Sequence, residues 1–397
     1  MLSFTTSPVI IGDGAALAAR KYISENFGGV KNILAVCDAN TEVFAAEEFP
    51  GAERYVFAAD EADGVAVVAD PALCAALAAR AAKKRALVAC GAGTVHDLTR
   101  YTAHGLDMPF ISFPTAPSVD GFVSGIAAMT VNGQKLSFPS SPPAALFAQP
   151  GVFMTAPPAL TASGVGDIMG KYISLCDWKI SSVVTGERWD DEIAALESSA
   201  VEKLMTSDPG SREFGMLLME ALVTSGLAIQ VYGTSRPASG AEHHLSHLWE
   251  MHCINPPTTA LHGEKVGVAT LLLLDRYRSA KDFRLAERFY TREYLAPVFG
   301  ALTDGIINEN PPQSRAGGYP FIGLSQKRLN PFIPAIREAV NALPDPALIR
   351  DFMTACSCKT DIASLGLPDT PEFLRLSLEF APYVRRRCTL LRLCTLN

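Results

Sequence analysis

The sequence predicts an α/β domain with a parallel sheet over residues 1–156, followed by an all-α domain over 157–397. Three observations predict it. Short apolar runs alternate with helical stretches through the first 155 residues, the pattern of strands covered on both faces by crossover helices. The character changes at Pro157-Pro158, beyond which long amphipathic segments follow a helical period with few strand-like runs. A chain of 397 residues also exceeds what one core normally serves.

Each element follows from its own residues. "NILAVC" (32–37) is an apolar, β-branched strand closed by Asp38, Ala39 and Asn40, and a helix begins at Thr41. "YVFAA" (55–59) is a second strand. "DPALCAALAARAAKKRA" (70–86) opens with an acid and closes with bases, which suits a helix and its macrodipole. "ALVACGAGTVHDLTRY" reads as a buried strand, a glycine turn and a helix start, and "PFISFPTAP" (109–117) as a strand entering a Pro-rich loop. Beyond Leu160, "EIAALESSAVEKLM" (192–205), "EFGMLLMEALVTSGLAIQVYG" (213–233) and "KVGVATLLLLDRYRSAKDF" (265–283) are helices.

The chain is 48% hydrophobic and 19% charged, with a formal net charge of −7 and a pI near 5.6. That balance argues against a nucleic-acid partner, which a basic stripe would announce. Arg385-Arg386-Arg387, the one dense basic run, reads as a solvated helix face. No stretch reaches about 18 uninterrupted apolar residues, so no membrane span is expected. The start "MLSFTTSPVIIGDG" has none of the parts of a signal peptide. Nine scattered cysteines without C-x-x-C spacing fit reduced thiols in a cytoplasmic protein better than a disulfide framework.

Chemistry concentrates in a few segments. Gly91-Ala92-Gly93-Thr94 is either a simple tight turn or a place where backbone N–H groups at a helix start face a phosphate. "PTAPSVDGFVS" (114–124) follows the next strand, where such sheets bind ligands. Asp38 either starts a turn or accepts hydrogen bonds from a ribose diol, which would favour NAD over NADP. Only seven histidines occur, yet His243, His244 and His247 fall within "SRPASGAEHHLSHLWE" (235–250), and His262 follows in "LHGEKVG". On a helix His243 and His247 share a face while His244 points about a hundred degrees away. Catalytic divalent metals take three His, Asp or Glu ligands and keep an open position; packing between helices is the alternative use of these imidazoles. The carboxylate comes best from "TASGVGDIMGKYIS" (161–174), where Gly164, Gly166 and Gly170 thin one side of a helix start bearing Asp167 and Lys171. Glycine costs about 1 kcal/mol per helical position against alanine, so three in seven residues imply close approach of another backbone or a ligand. Asp167 is otherwise a first-turn acid favoured by the dipole.

"GAGTVHDLTRY", "PTAPSVDGFVS", "GVGDIMGKY", "SRPASGAEHHLSHLWE" and "LHGEKVG", in that order, resemble the sn-glycerol-1-phosphate dehydrogenases of the iron-containing alcohol dehydrogenase and dehydroquinate synthase-like superfamily. The resemblance implies a Rossmann-like first domain, a helical second domain and an active site in the cleft between them. It implies Asp167, His243 and His262 as ligands of one divalent ion (zinc, nickel or iron), with Asp167 also at the substrate. His247 and Asp120 would be the catalytic residues contacting substrate. Gly93, Thr94, Val95, His96, Asp97, Thr115, Ala116, Pro117, Ser118 and Ser124 would line NAD(H) or NADP(H). The sequence departs from the family at Val95-His96, and at Gln149, where an acid is expected.

The implied reaction is reversible reduction of dihydroxyacetone phosphate to sn-glycerol 1-phosphate by hydride transfer. The metal would act as a Lewis acid, and His247 or a water relay would supply the proton; Arg236 either holds the phosphate through its guanidinium fork or forms an interdomain ion pair. Lys171 and Lys135 are the other basic residues near the motifs, and a homo-oligomer is expected. Alternatives are a metal- and NAD-dependent cyclase of the dehydroquinate synthase type, a dehydrogenase of glycerol or another small polyol, and a scaffold without turnover.

Overall fold

The structure, a computed structural model, describes residues 2–58, 67–310 and 324–396. The first part of the chain runs β1 (Val9–Ile11), α1 (Ala15–Phe27), β2 (Ile33–Asp38), α2 (Glu42–Glu48) and β3 (Glu53–Phe57). It continues with α3 (Cys74–Ala81), β4 (Ala86–Gly91), α4 (Gly93–Gly105), β5 (Phe110–Pro114), the hairpin of β6 (Ile126–Val131) and β7 (Gln134–Pro139), and β8 (Ala145–Ala148). Then follow α5 (Pro150–Phe153), α6 (Pro158–Met169), α7 (Lys171–Thr185), α8 (Asp191–Met205), α9 (Phe214–Tyr232), α10 (Ala241–Glu250) and α11 (His262–Ser279). Ala59, the last residue of the strand expected at 55–59, lies outside the described residues.

Six strands form one parallel sheet in the order β1-β8-β5-β4-β2-β3. Alternate side chains of β2 enter two different cores. Ile33, Ala35 and Cys37 pack with Ala45 and Phe49 from the α2 side, and Leu34 and Val36 with Leu77, Ala81 and Leu98 from α3 and α4. A strand covered on both faces has no solvated side, which is why "NILAVC" carries no polar alternation.

The helix expected over 70–86 is shorter. Asp70 caps a 3₁₀ turn by accepting from the Ala72 N–H at 2.8 Å, and α3 ends at Ala81. The bases beyond it belong to the turn into β4, where Lys84 pairs with Glu53 at 2.9 Å. The glycine-rich segment is also placed differently: α6 begins at Pro158, so Asp167 lies in its last turn rather than its first.

Contacts divide the chain into two compact units. One comprises Met1–Val131, Lys135–Gly164 and Ser199–Ser235, and the other Asn132–Gln134, Val165–Ser198 and Arg236–Asn397. The division is not the linear one expected near residue 157, because α9 groups with the sheet. Met219 and Val223 of α9 share a core with Phe122, Val123, Leu146 and Phe153, and Gln230 donates to the Val123 carbonyl at 2.8 Å. By length and composition α9 could cross a membrane, with 19 residues and a mean hydropathy of 1.6; in this fold it is a core helix. Among the described residues from Val165 onward, the second unit is helical apart from two-residue strands at Arg284–Leu285 and Cys394–Thr395. None of the nine cysteines is bridged.

The run Arg385-Arg386-Arg387 is not a solvated helix face. The helix Pro371–Val384 ends just before it, and all three arginines are partly buried.

His96 shows how firmly the sheet unit is closed. The residue is 1% exposed, with Nδ1 at 3.0 Å from the Ala92 carbonyl, Nε2 at 2.8 Å from Ser112 Oγ, and its ring edge-on to Phe122. Burial pushes its pKa down to about 3. The unfolded chain therefore binds a proton that the native state refuses between about pH 6.5 and 3, so this contribution to stability falls as the pH falls. From pH 7.5 to pH 5, urea unfolding of the wild type should lose about 2 kcal/mol more than that of His96→Gln; parallel losses would contradict a neutral His96.

Candidate metal and nucleotide sites

Strand order reverses between β2 and β4. The chain steps outward from β2 to β3, returns to the other side of β2, and steps outward again through β5. Open α/β sheets bind ligands outside the carboxyl ends of strands at such a reversal. Asp38 ends β2, Gly91-Ala92-Gly93 leads from β4 into α4, and Thr115 to Ser118 leave β5, so three segments flagged by sequence meet at one end of the sheet.

Within that end, side chains sort by what they touch. A Cβ on Gly91 would stand 2.6 Å from Val95, and one on Gly93 2.9 Å from Val119, so internal packing already requires both glycines. The α4 N-terminus has no side-chain cap, and its amide end suits an anion. Val95 and His96 are corrections: both side chains belong to the core, and only their backbone is near the turn. Thr94 and Asp97 stay partly accessible, although Asp97 pairs with Arg100 at 2.7 Å. Thr115, Ala116 and Ser118 are buried, and the Thr115 N–H donates to the Gly91 carbonyl at 3.1 Å. Ser124 Oγ donates to the Ile126 carbonyl at 3.0 Å and so closes a turn. Asp38 Oδ1 accepts from the N–H groups of Asn40 (3.0 Å) and Thr41 (2.9 Å), so that oxygen holds the turn. Asp120 accepts from Ser225 Oγ at 3.0 Å.

The second unit holds the histidines. Gly166 lets α6 lie against the start of α11: a Cβ there would fall 2.1 Å from the Gly263 carbonyl oxygen. The neighbouring Asp167 is thereby set beside His262, while α10 supplies His243. Asp167 Oδ1 is 3.6 Å from His243 Nε2, the rings of His243 and His262 are 5.3 Å apart, and one donor atom from each of the three lies within 4.8 Å of the others. Four ligands at about 2.1 Å from one tetrahedral ion stand roughly 3.4 Å apart, so small side-chain movements suffice to close the set. The charges fit as well. Asp167 is 1% exposed in the last turn of α6, where the helix dipole opposes an acid, and Lys171, 3.2 Å away, begins α7, where the dipole opposes a base. Neither charge serves its helix. A buried carboxylate facing two imidazoles and an ammonium is a place for a cation.

Carboxylates stand behind the histidines. Glu242 Oε1 is 2.7 Å from His243 Nδ1, which leaves Nε2 turned toward Asp167. Glu250 bridges two rings, with Oε1 2.8 Å from His262 Nδ1 and Oε2 3.1 Å from His247 Nδ1. Burial alone would raise the Glu250 carboxyl, but His262, the bonds from both histidines and Lys265 hold it well below the usual range. An ionised carboxylate only accepts, so it places a proton on each Nδ1 and turns each Nε2 outward. His247, Glu250 and His262 also bring donor atoms within 4.8 Å; because Glu250 uses the Nδ1 atoms, that set reads as the support of the first. Burial pushes His247 down to about 3, against the pull of Glu250, so its imidazole is neutral. His244 is buried on the other side of α10, where burial and Arg387 hold it neutral too.

The profile of the iron-containing alcohol dehydrogenase family matches residues 10–157. The glycerol-1-phosphate dehydrogenase [NAD(P)+] of Bacillus velezensis is 40% identical over 287 residues, 68% of this chain and 72% of that protein. The enzyme of the same name from Bacillus subtilis is 30% identical over 413 residues, all of this chain and 93% of that one. The chain belongs to the glycerol-1-phosphate dehydrogenase family. Its fold is shared with a glycerol dehydrogenase from Schizosaccharomyces pombe, at a TM-score of 0.64 and 17% identity, covering 100% of this chain and 86% of that one.

Within this family member, Arg236 is a correction. It is buried: Nε pairs with Glu187 at 3.1 Å, and Nη2 donates to the carbonyls of Asp177 (2.9 Å) and Cys388 (2.7 Å). Its guanidinium ties three segments of the fold together and is not presented to a substrate. Sequence reasoning missed Glu250 and Glu242, although Glu250 stands three residues after His247, a spacing at which helical side chains meet.

Two substitutions test the site. Alanine usually strengthens a helix, yet Gly166→Ala should destabilise the protein by about 1–3 kcal/mol through overpacking, read in chemical denaturation, and should lower bound metal; a gain in stability would refute the close approach. Glu250→Gln should weaken metal binding roughly 10- to 100-fold in chelator competition, and unchanged affinity would remove its orienting role.

Proposed function

We propose that this chain interconverts dihydroxyacetone phosphate and sn-glycerol 1-phosphate, using NAD(H) or NADP(H) and one divalent ion held by Asp167, His243 and His262. The observation that carries the reading is the convergence of those three side chains, each backed by a charged partner, in a chain of this family. The nucleotide lies at the sheet end made by Asp38, the α4 N-terminus and the loop from Thr115 to Ser118, with Thr94, Asp97, Asp120 and Ser124 nearby in the same unit. Bound metal supplies Lewis acidity toward the substrate oxygen, and bound nucleotide supplies the hydride exchange at C2.

The chain's own work is positioning and proton management. Glu242 and Glu250 aim the two imidazole ligands, and Lys171 balances Asp167 when the carboxylate is unliganded. His247 is neutral, with its proton on Nδ1 toward Glu250, so Nε2 is an acceptor for the alcohol proton in the oxidation direction. In the reduction direction the same nitrogen returns that proton, and Glu250 stabilises the transient imidazolium as the carboxylate of a catalytic triad does. Zinc, nickel and iron all suit this oxygen and imidazole set.

The test is NADH or NADPH oxidation with dihydroxyacetone phosphate, dihydroxyacetone and a glycerol control, with zinc, nickel and iron supplied in turn. The phosphorylated ketone should be preferred. His262→Ala should lose bound metal and at least about a thousandfold in turnover, since the ion contributes several kcal/mol to the barrier. Full activity of the variant, or no turnover of the phosphorylated ketone by the wild type under any metal, would overturn the reading.

A further inference from the structure

With Arg236 consumed by the fold, the substrate's phosphate needs another cation, and the second unit narrows the choice. Lys171 is committed to Asp167 and to the Ala238 carbonyl at 3.2 Å. Lys265 donates to the Ala260 carbonyl at 2.5 Å and faces Glu250. Arg387 donates to the Ser239 carbonyl at 2.8 Å. Arg392 serves the Pro382 and Arg385 carbonyls, Tyr290 Oη and Asn310 Oδ1.

Arg385 differs. It follows directly on the helix Pro371–Val384, which packs behind α10: Trp249 of α10 donates from Nε1 to Ser377 Oγ at 2.9 Å and stacks on Phe373. The backbone of Arg385 is fixed, because its carbonyl accepts from Arg392 Nη1 at 2.6 Å and from the Arg387 N–H at 2.9 Å. Its side chain is recessed, with part of it still reaching solvent, and among the described residues its guanidinium makes no hydrogen bond or ion pair. Glu309 and Glu250 act on its charge, and it in turn opposes the protonation of His247 and of His244 and faces the like charge of Arg387. Glu250 is already engaged by His247 and His262. A recessed guanidinium on a fixed backbone, with no hydrogen-bond or ion-pair partner among the described residues and within electrostatic reach of His247, is a receptor awaiting an anion.

We propose that Arg385 binds the phosphate monoester of the substrate, taking the role that sequence reasoning gave to Arg236. This rests on the reading of the chain as a dehydrogenase of a phosphorylated triose. Guanidinium matches phosphate through two parallel N–H···O bonds. The ester then spans from Arg385 to the metal-facing side of His247, and an unphosphorylated polyol forgoes only the Arg385 end.

The experiment compares kcat/KM for dihydroxyacetone phosphate and for dihydroxyacetone in wild type, Arg385→Gln and Arg385→Lys, each loaded with metal. The preference for the phosphorylated ketone should fall roughly 10- to 100-fold in Arg385→Gln, the scale of charge-assisted hydrogen bonds, and less in Arg385→Lys, which keeps the charge and loses the fork. Inhibition by inorganic phosphate should weaken by a similar factor in Arg385→Gln. Equal losses on both ketones, or an unchanged preference with unchanged phosphate inhibition, would overturn the proposal while leaving the dehydrogenase reading intact. Should Arg385→Gln not fold, the preference ratio of Arg385→Lys decides: an undiminished ratio contradicts the proposal. A wild type without preference for the phosphorylated ketone would overturn the substrate reading itself, and Arg385's role with it.

Discussion

Two backbones meet where α6 crosses the start of α11, and the candidate metal site depends on how closely they do so. The space between Gly166 and the Gly263 carbonyl would not admit one methyl group. That proximity puts Asp167 within reach of His262 without a long side chain, and a short side chain loses little entropy when fixed. Gly170 repeats the device a turn later, where a Cβ would meet Val266 at 2.9 Å. The glycines spend helix propensity to gain a position. Had α6 stood at an ordinary distance from α11, an aspartate could not have joined the two imidazoles.

Electrostatics then keeps the site poised. A buried carboxylate is costly unless paired, and here each one has a partner that also has a task. Asp167 faces Lys171 and His243, Glu242 backs His243, and Glu250 backs both His247 and His262. One layer further out, Asp177 accepts from the Ala241 N–H at 2.9 Å, at the start of α10, and from the Leu390 N–H at 2.7 Å, near the end of the chain. Burial and the nearby Glu242 push Asp177 up to about 7, against the pull of those two N–H groups. The last part of the chain is thus bound to the helix that carries His243 and His247, both through Asp177 and through Trp249 on Ser377.

Much of this was legible in the sequence, for reasons that differ by residue. The strands of the sheet announced themselves because burial on both faces demands unbroken apolar runs. Asp167, His243 and His262 stood out because scarce residue types were concentrated and glycines stood where a helix does not want them. Glu250 closes the same stretch, but its bond to His262 on another helix is not written in local spacing. Val95 and His96 were placed at the cofactor by motif, whereas the pitch of α4 turns both inward. Arg236 was misplaced because its partners are remote: the Cys388 carbonyl that it bonds lies 152 residues away in the chain. Periodicity reads local environment, and these contacts are not local. α9 went to the wrong side of the linear boundary for the same reason, since its hydrophobic face is complemented by residues near 122 and 147.

Metal-edge anomalous diffraction, with X-ray absorption on protein loaded with one equivalent of zinc, addresses the convergence itself. One ion should appear, bound by a carboxylate oxygen of Asp167 and by the Nε2 atoms of His243 and His262, with Glu242 and Glu250 outside its ligand shell. An ion held instead by Glu250 and His247, or no single site of unit occupancy, would contradict the arrangement on which the dehydrogenase reading stands.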